Sequence, residues 1–168
     1  MALRTANPVL HVSYTLESMK GGLDPDAARL LADAKAHGLD PDVVNVMAMD
    51  YGVAQTAAQM LADAKRSATG AEVTIRSLGL TSAVGITPMI GVNDTPDETF
   101  TLADAKGLLE FARANAWVGR LATWSLGRDN GGCAGAAMAR PTCSGLSQAS
   151  YTFSAVFRQL GGVAARGQ

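Results

Sequence analysis

The fold is indicated most directly by residues 43–52, which read VVNVMAMDYG. The stretch is apolar as far as Met49 except at Asn45, and it becomes polar at Asp50. A short, nearly continuous apolar run is typical of a parallel β-strand that is covered on both faces. We therefore predict a buried strand at residues 42–50, with an aspartate at its carboxyl end.

Three other stretches have the same character, and they predict strands at residues 8–16, 83–92 and 120–126. Each interval between strands is long enough for one helix, because a β-α-β unit takes about 30 residues. Asp24 and Pro25 are residue types favoured at the start of a helix. Helices are predicted at residues 24–38, over much of 54–77, at 101–116 and at 145–160.

The alternation of strands and helices predicts an α/β fold with four parallel strands. Four β-α units amount to half of a (β/α)8 TIM barrel, whose complete form typically has about 250 residues. The alternative is a doubly wound sheet, in which we expect a phosphate-binding or cofactor-binding loop after the first strand. The sequence contains neither a G-x-G-x-x-G motif nor a P-loop. We therefore favour the half barrel and treat residues 1–168 as a single partial domain.

Composition argues against several classes of protein. The 168 residues are 48% hydrophobic and 17% charged, which is typical of a globular chain. A formal net charge of −1 gives no reason to expect nucleic acid or a membrane surface as a partner. No apolar run approaches the ~20 residues that cross a bilayer. Neither His11 nor His37 has a metal-ligand neighbour, so no metal or other cofactor is expected.

Candidate functional residues follow the predicted strands, because parallel α/β folds place their sites at the carboxyl ends of strands. They are Ser13, Tyr14, Thr15, Glu17, Met47, Met49, Asp50, Tyr51, Met89, Asn93, Asp94, Trp124, Arg128 and Asp129. The set combines carboxylates, an amide and aromatic rings. Sugars present hydroxyl groups and apolar C–H faces, so they bind to hydrogen-bonding groups beside an aromatic platform. A sugar site is one interpretation of these strand ends, and their positions alone do not select it.

The same segments resemble strands five to eight of the bacterial chitinases of glycoside hydrolase family 18. The similar segments are VSYTL at residues 12–16, VNVMAMDYG at 44–52, PMIGVND at 88–94 and WSLGRD at 124–129. The stretch CSGLSQ at residues 143–148 is similar to the end of those domains. The resemblance covers about residues 8–160, in order and with fitting spacing.

The resemblance implies a retaining, substrate-assisted hydrolysis of β-1,4-linked N-acetylglucosamine polymers such as chitin. It places Asp50 where the acetamido group is held, with Tyr51 assisting, and Trp124 beneath the sugar that is cleaved. It also implies that Met47 lines the pocket. By the same resemblance, the contacts to neighbouring sugars are Tyr14, Asn93 and Asp94. Trp117 has no such counterpart and is predicted to pack in the core.

The sequence departs from the family pattern in two respects. Many relatives have a tyrosine directly before the aspartate, where this chain has Met49. The family's catalytic acid lies in a D-G-x-D-x-D-x-E motif that this sequence lacks. Its glutamates are Glu17, Glu72, Glu98 and Glu110, and none ends such a motif. Glu17 lies at the end of a predicted strand and is the one candidate for a substitute acid, a role that also requires it to reach the glycosidic oxygen.

Cys133 and Cys143 bracket a loop rich in glycine and alanine. The spacing favours a disulfide, and the resemblance to secreted relatives supports it; two free buried thiols are the alternative. A disulfide implies a secreted parent protein. The first eight residues have no signal-peptide character, which taken alone favours the cytoplasm.

Three functions are consistent with these features. The first is part of a chitinase-type hydrolase that is inactive alone, because the acid motif is missing. The second is a non-catalytic module that binds chito-oligosaccharides, and the third is an unrelated α/β domain. A half barrel exposes two strand edges, so we expect either self-association or a need for a missing N-terminal half-barrel.

Overall fold

The computed structural model describes residues 5–52 and 57–161 of the chain. The strands are β1 (Ser13–Met19), β2 (Gly22–Leu23), β3 (Val43–Ala48), β4 (Ala83–Pro88), β5 (Gly91–Val92), β6 (Thr99–Phe100) and β7 (Val118–Leu121). The helices are α1 (Pro25–Ala36), α2 (Ala57–Ser77), α3 (Leu102–Ala114) and α4 (Thr152–Phe157), with 3-10 turns at Leu126–Arg128 and Arg158–Leu160. None of the described helices is both long enough and apolar enough to cross a membrane.

The central sheet has the strand order β2-β1-β3-β4-β7. β1 pairs with β3, β3 with β4 and β4 with β7, all in the parallel sense. Helices α1, α2 and α3 connect these strands in chain order. The strand order follows the sequence, as in one half of a TIM barrel. The predicted α/β fold is confirmed.

The core lies between the sheet and its helices. Alternate side chains of the middle strands face the helices, and Val44, Val46, Val84 and Ile86 are fully buried there. Their partners in the core cluster include Leu31, Met60, Ala64, Ala68, Ala105 and Leu108. The small alanines let α2 and α3 lie close to the sheet.

The opposite face of the sheet is more polar. Asn45 and Thr87 lie on it, and Asn45 Nδ2 donates to Thr87 Oγ1 at 2.5 Å. Gly85 lies under this pair, where a Cβ atom would overlap the side chain of Asn45. At the amino end of the sheet, Arg120 Nη1 donates to Ser13 Oγ across 2.9 Å, so β1 and β7 curve towards each other.

The outer strands leave two edges that lack a strand partner in the part of the chain the structure describes. β1 pairs on its outer side with β2 only at Ser18 and Met19, and β7 pairs only with β4. A cavity of about 680 Å³ beside β7 is lined in part by Arg120, Leu121 and Phe157. A cavity of about 520 Å³ lies beside β1 and α1. Both edges thus adjoin concave surface.

Both ends of the chain differ from the prediction. Residues 8–12 are not a strand: Leu10 N donates to Asn7 O in a turn, and β1 begins only at Ser13. The helix predicted at residues 145–160 is wrong over its first half. Gly145 (φ 82°) and Tyr151 (φ 62°) have left-handed backbone, which an α-helix does not accept. Only Thr152–Phe157 is α-helical.

The third and fourth strands are shorter than predicted. The third leaves the central sheet after Pro88, because Gly91 (φ 76°) turns the chain into the β5–β6 hairpin. The fourth strand spans Val118–Leu121, so it begins two residues before its predicted start at residue 120 and ends well before residue 126. Trp124 returns to the sheet as an isolated bridge to Met89. The predicted helix starts at Asp24 and Thr101 are confirmed, and the start predicted near residue 54 lies outside the described residues.

Candidate functional site

The predicted site residues Met47, Asp50 and Trp124 lie at one edge of the sheet. Ala48 of β3 is in register with Pro88 of β4. The residue after Pro88, Met89, forms the bridge to Trp124. Met47 is half-buried and Asp50 is exposed at this edge. Adjacent strand ends therefore place a thioether, a carboxylate and an indole at the same edge of the sheet.

The backbone of Trp124 is held by hydrogen bonds to the sheet, while the residue is largely exposed. Its N–H donates to Pro88 O at 2.9 Å, and its carbonyl accepts from Ile90 N at 3.0 Å. The peptide bond that follows it is cis. Trp124 is 57% exposed, which is unusual for a large aromatic residue next to a sheet. An exposed indole on a rigid backbone is well suited to stack against the apolar face of a sugar.

Trp117 provides the contrast. Its ring packs edge-on against Phe111, with 5.7 Å between the ring centroids. It lies against the core cluster. The prediction that Trp117 is a packing residue is confirmed.

Asp50 and Tyr51 form a turn whose two side chains point in different directions. Asp50 has a φ of 49°, in the left-handed region. Its Oδ1 accepts from Thr95 N at 2.9 Å, and its carboxylate stays at the open edge. Tyr51 is 4% exposed and belongs to the core cluster. Its hydroxyl therefore lies behind the edge, and this placement does not support the predicted contact between Tyr51 and an acetamido group.

The environment of Tyr51 keeps its phenol neutral. Burial raises the pKa of Tyr51 above its usual value, and the carboxylates of Asp63 and Glu98 raise it further. Asp63 is itself buried, and it forms ion pairs with Lys20 at 3.3 Å and with Arg66. Tyr51 thus belongs to a buried polar cluster that packs the turn against α2.

The other predicted strand-end residues are distributed between the edge and the interior. Asp94 is exposed at the rim. Asn93 is 2% exposed, and its Nδ2 donates to the carbonyls of Met89 and Gly91, both at 2.9 Å. The amide of Asn93 therefore fixes the hairpin and does not face the open edge.

Tyr14 and its neighbours lie at the wrong end of the sheet for the predicted role. Tyr14 pairs with Val44, near the amino end of β3. Ser13 and Thr15 flank it, and the strand continues to Met19. The expectation that Tyr14 lies at the carboxyl edge is wrong, because β1 begins and ends later than the apolar pattern indicated. Glu17 is nearer that edge, exposed and in register with Met47.

Arg128 and Asp129 are buried connectors. Arg128 Nη2 donates to the carbonyls of Ile90 (3.0 Å) and Val92 (2.5 Å), and Nη1 donates to Arg140 O. Burial lowers the pKa of Arg128, while the carboxylates of Asp94 and Asp50 act in the opposite direction. The guanidinium therefore lies near the carboxylates of Asp50 and Asp94, and it holds the β5–β6 hairpin to the segment that carries Trp124.

Asp129 fastens the start of α4. Its two carboxylate oxygens accept from the backbone amides of Phe153 (3.1 Å) and Ser154 (2.8 Å). They also accept from Ser154 Oγ (2.7 Å) and Gln148 Nε2 (2.8 Å). The role of Asp129 is structural, because all of these bonds lie away from the open edge.

A disulfide joins Cys133 and Cys143, with 5.8 Å between their Cα atoms. It closes the loop whose Arg140 carbonyl accepts from Arg128. The disulfide therefore supports the loop behind Trp124. Among the described residues, no group of three or more His, Cys, Asp or Glu is arranged to hold a metal ion.

Two contributors to the edge were not found from the sequence. Glu98 is fully buried, and its Oε2 accepts from Tyr51 N at 3.2 Å. Thr95 donates its N–H to Asp50. Both contacts join residues more than 40 positions apart, so only the tertiary structure reveals them. Fold and edge together define an α/β half-barrel with exposed aromatic and acidic residues at its carboxyl edge, the end at which barrel enzymes carry their active sites.

Comparison with known proteins finds chitinases of similar sequence. No family model matches the chain. The probable bifunctional chitinase/lysozyme of Escherichia coli (strain K12) is 32% identical over 161 residues, which cover 86% of this chain and 18% of that protein. Endochitinase 11 of Metarhizium anisopliae is 33% identical over 130 residues, which cover 69% of this chain and 25% of that protein.

Solved structures show the same likeness. The catalytic domain of a hyperthermophilic chitinase from Pyrococcus furiosus matches with a TM-score of 0.81 and 30% identity, over 95% of this chain and 53% of that one. Catalytic-site mutants of active domain 2 of this chitinase, complexed with chito-oligosaccharides, match equally well. The chain is therefore similar to chitinases over most of its length, with a fold of the glycoside hydrolase family 18 type. It spans about half of the solved catalytic domain and a quarter or less of the two curated relatives.

Proposed function

We propose that this chain forms the sugar-holding half of a chitinase-type catalytic domain and binds oligomers of β-1,4-linked N-acetylglucosamine. The observation that carries the proposal is that Trp124, which is 57% exposed, lies at the same strand edge as the exposed Asp50. The indole supplies a platform for the sugar ring. The carboxylate accepts a hydrogen bond from the acetamido N–H. The Pyrococcus furiosus chitinase complexed with chito-oligosaccharides supports this choice of ligand.

In the proposed reaction an acid protonates the glycosidic oxygen, and the bond from that oxygen to the anomeric carbon breaks. The acetamido carbonyl oxygen of the same sugar bonds to the anomeric carbon and forms an oxazolinium-like intermediate. Water then opens this ring with retention of configuration. Asp50 orients the acetamido group for the attack and favours the positive charge that develops on it. Met47 lines the pocket and Asp94 lies at its rim.

Hydrolysis needs an acid that this sequence does not carry in the family's motif. We propose that the acid comes from a companion half-barrel with the D-G-x-D-x-D-x-E motif, paired against the outer edges of β1 and β7. The cavities of about 680 Å³ and 520 Å³ beside these two edges support such a contact. So does the match to only 53% of the solved catalytic domain. Self-association of two copies is the competing occupant of the same edges.

The cellular setting is proposed from the disulfide. A structural disulfide is typical of proteins that fold in oxidising compartments. The Cys133–Cys143 bond therefore supports secretion of the parent protein.

Sugar binding is tested through the two tryptophans of the chain. The variant Trp117→Phe leaves Trp124 as the single indole, so its fluorescence reports the platform alone. Titration with chitotetraose should shift this emission saturably, and calorimetry should give the same dissociation constant. Trp124→Ala should weaken binding about 10-fold or more, the size expected for loss of one aromatic anchor. Unchanged affinity in Trp124→Ala would contradict the proposal.

Turnover separates hydrolysis from binding alone. The chain by itself should release no sugar from chitotetraose, and addition of a separately produced half-barrel that carries the acid motif should restore release. The missing acid motif also favours a second candidate, a non-catalytic chito-oligosaccharide-binding module. Saturable binding by a monomeric chain, with no turnover in the presence of the companion half, would favour that module.

A further inference from the structure

Glu98 is a fully buried carboxylate on the hairpin formed by β5 and β6. A buried carboxylate is costly unless its hydrogen bonds are satisfied, so its presence calls for a specific role. Its Oε2 accepts from Tyr51 N at 3.2 Å. We propose that Glu98 is a positioning residue that holds the turn at Asp50, an inference that rests on the sugar-binding role proposed above.

The β5–β6 hairpin forms hydrogen bonds with both residues of the turn, Asp50 and Tyr51. Glu98 takes the backbone amide of Tyr51, while Thr95, three positions earlier, donates its own amide to Asp50 Oδ1 at 2.9 Å. Thr95 and Glu98 are joined in turn, because Glu98 N donates to Thr95 O at 3.2 Å. Asn93 N closes the same loop on Glu98 O at 2.9 Å. One loop thus fixes the backbone and the carboxylate of the turn together.

The turn needs such a support. Asp50 has a φ of 49°, in the left-handed region, which aspartate adopts more readily than most residues but which still costs energy relative to ordinary backbone. The neighbouring Gly52 also has a positive φ, of 80°. Without the hydrogen bond to Glu98, the Thr95 amide still holds Asp50 Oδ1, but the backbone at Tyr51 is free to relax towards more ordinary angles. This relaxation shifts the Asp50 carboxylate from its place at the edge.

The hairpin is also tied to the platform. Arg128 holds the carbonyls of Ile90 and Val92, and Asn93 holds the carbonyls of Met89 and Gly91. Met89 forms the bridge to Trp124. A continuous chain of contacts therefore runs from Trp124 through the hairpin to Glu98 and the turn. Through it, Glu98 sets the distance between the indole and the carboxylate that bind one sugar.

The test uses the amide of Tyr51 as a direct reporter. The chain has three tyrosines, so labelling with 15N-tyrosine gives three backbone signals, and Tyr51→Phe identifies the one of interest. Glu98→Leu removes the acceptor, whereas Glu98→Gln keeps an oxygen in its place. We expect Glu98→Leu to shift this signal upfield, to accelerate its deuterium exchange at least 10-fold and to weaken chitotetraose binding about 10-fold. In Glu98→Gln, all three properties should lie close to those of the wild type.

Asp40→Ala is the matched control. Asp40 accepts from Thr81 and Ser82 near the amino end of the sheet, far from the edge. This variant should lose stability without changing the Tyr51 signal or the affinity. An unchanged Tyr51 amide in Glu98→Leu, or an equal loss of affinity in Asp40→Ala, overturns the proposal. If the wild-type chain binds no chitotetraose, the sugar-binding function fails, while the amide signals still decide whether Glu98 holds the turn. If Glu98→Leu does not fold, Glu98→Gln decides. An amide oxygen is a weaker acceptor than a carboxylate, so a small upfield shift of the Tyr51 signal relative to the wild type supports the hydrogen bond, and an unchanged signal refutes it.

Discussion

Loss of the disulfide between Cys133 and Cys143 should lower the stability of the domain by a calculable amount. The bond closes a loop with a sequence separation of 10. For a loop of about 10 residues, the chain-entropy relation gives about 9 cal/mol/K, or about 2.7 kcal/mol at 25 °C. The effect arises in the unfolded state: the cross-link limits the conformations of the unfolded chain, and its removal lets that chain gain entropy. For a chain of this size the loss corresponds to a fall of roughly 5–11 °C in Tm.

The double variant Cys133→Ala/Cys143→Ala measures this effect. Urea denaturation followed by circular dichroism should show a free energy of unfolding about 2.7 kcal/mol below that of the oxidised wild type. Reductant should lower the wild type to the level of the double variant and leave the variant unchanged. A difference below about 1 kcal/mol would refute the reasoning, since it would mean that the native loop is strained or that the unfolded loop is already restricted.

Two further predictions concern buried groups. Burial raises the pKa of Tyr51 above 10.0, so the stability that its neutral phenol contributes is complete below pH 10 and is lost as the pH rises further. Above pH 10 the free energy of unfolding of the wild type should therefore fall by up to about 1.4 kcal/mol per pH unit because of Tyr51. Tyr51→Phe should remove this fall, whereas Tyr151→Phe, a change at an exposed residue, should keep it. Parallel stability curves for the two variants from pH 10 upwards would contradict this. Asp129→Ala should cost about 3 kcal/mol, because it leaves the Phe153 and Ser154 amides without their acceptor. Asp104→Ala, which loses only a capping box, should cost about 1 kcal/mol; equal losses in urea denaturation would show that Asp129 does no more than cap a helix.

The elements that the sequence determined are those set by neighbours along the chain. Apolar runs located the strands β3 and β4, and Asp24 with Pro25 located the start of α1. Thr101 located the start of α3, where the structure shows a complete capping box. These signals are local, because a cap or a strand face depends on residues only a few positions apart. The family resemblance rested on the same short segments, and it placed Asp50 and Trp124 at one edge.

Tertiary structure decided the features that depend on distant residues. The sequence placed Tyr51 at the edge, but the left-handed turn at Asp50 directs Tyr51 into the core beside Asp63 and Glu98. Tyr14 sits at the opposite end of the sheet, because the register of β1 is set by its pairing with β3.

Glu98 itself is the clearest case. In the sequence it is one acidic residue in a polar loop, with nothing to distinguish it from Asp97. In the fold it is fully buried and bonded to a residue 47 positions away. Local pattern locates a carboxylate at the end of a strand. The direction in which that carboxylate, Asp50, points is set by contacts that exist only after the chain has folded, because the groups that fix it belong to the β5–β6 hairpin.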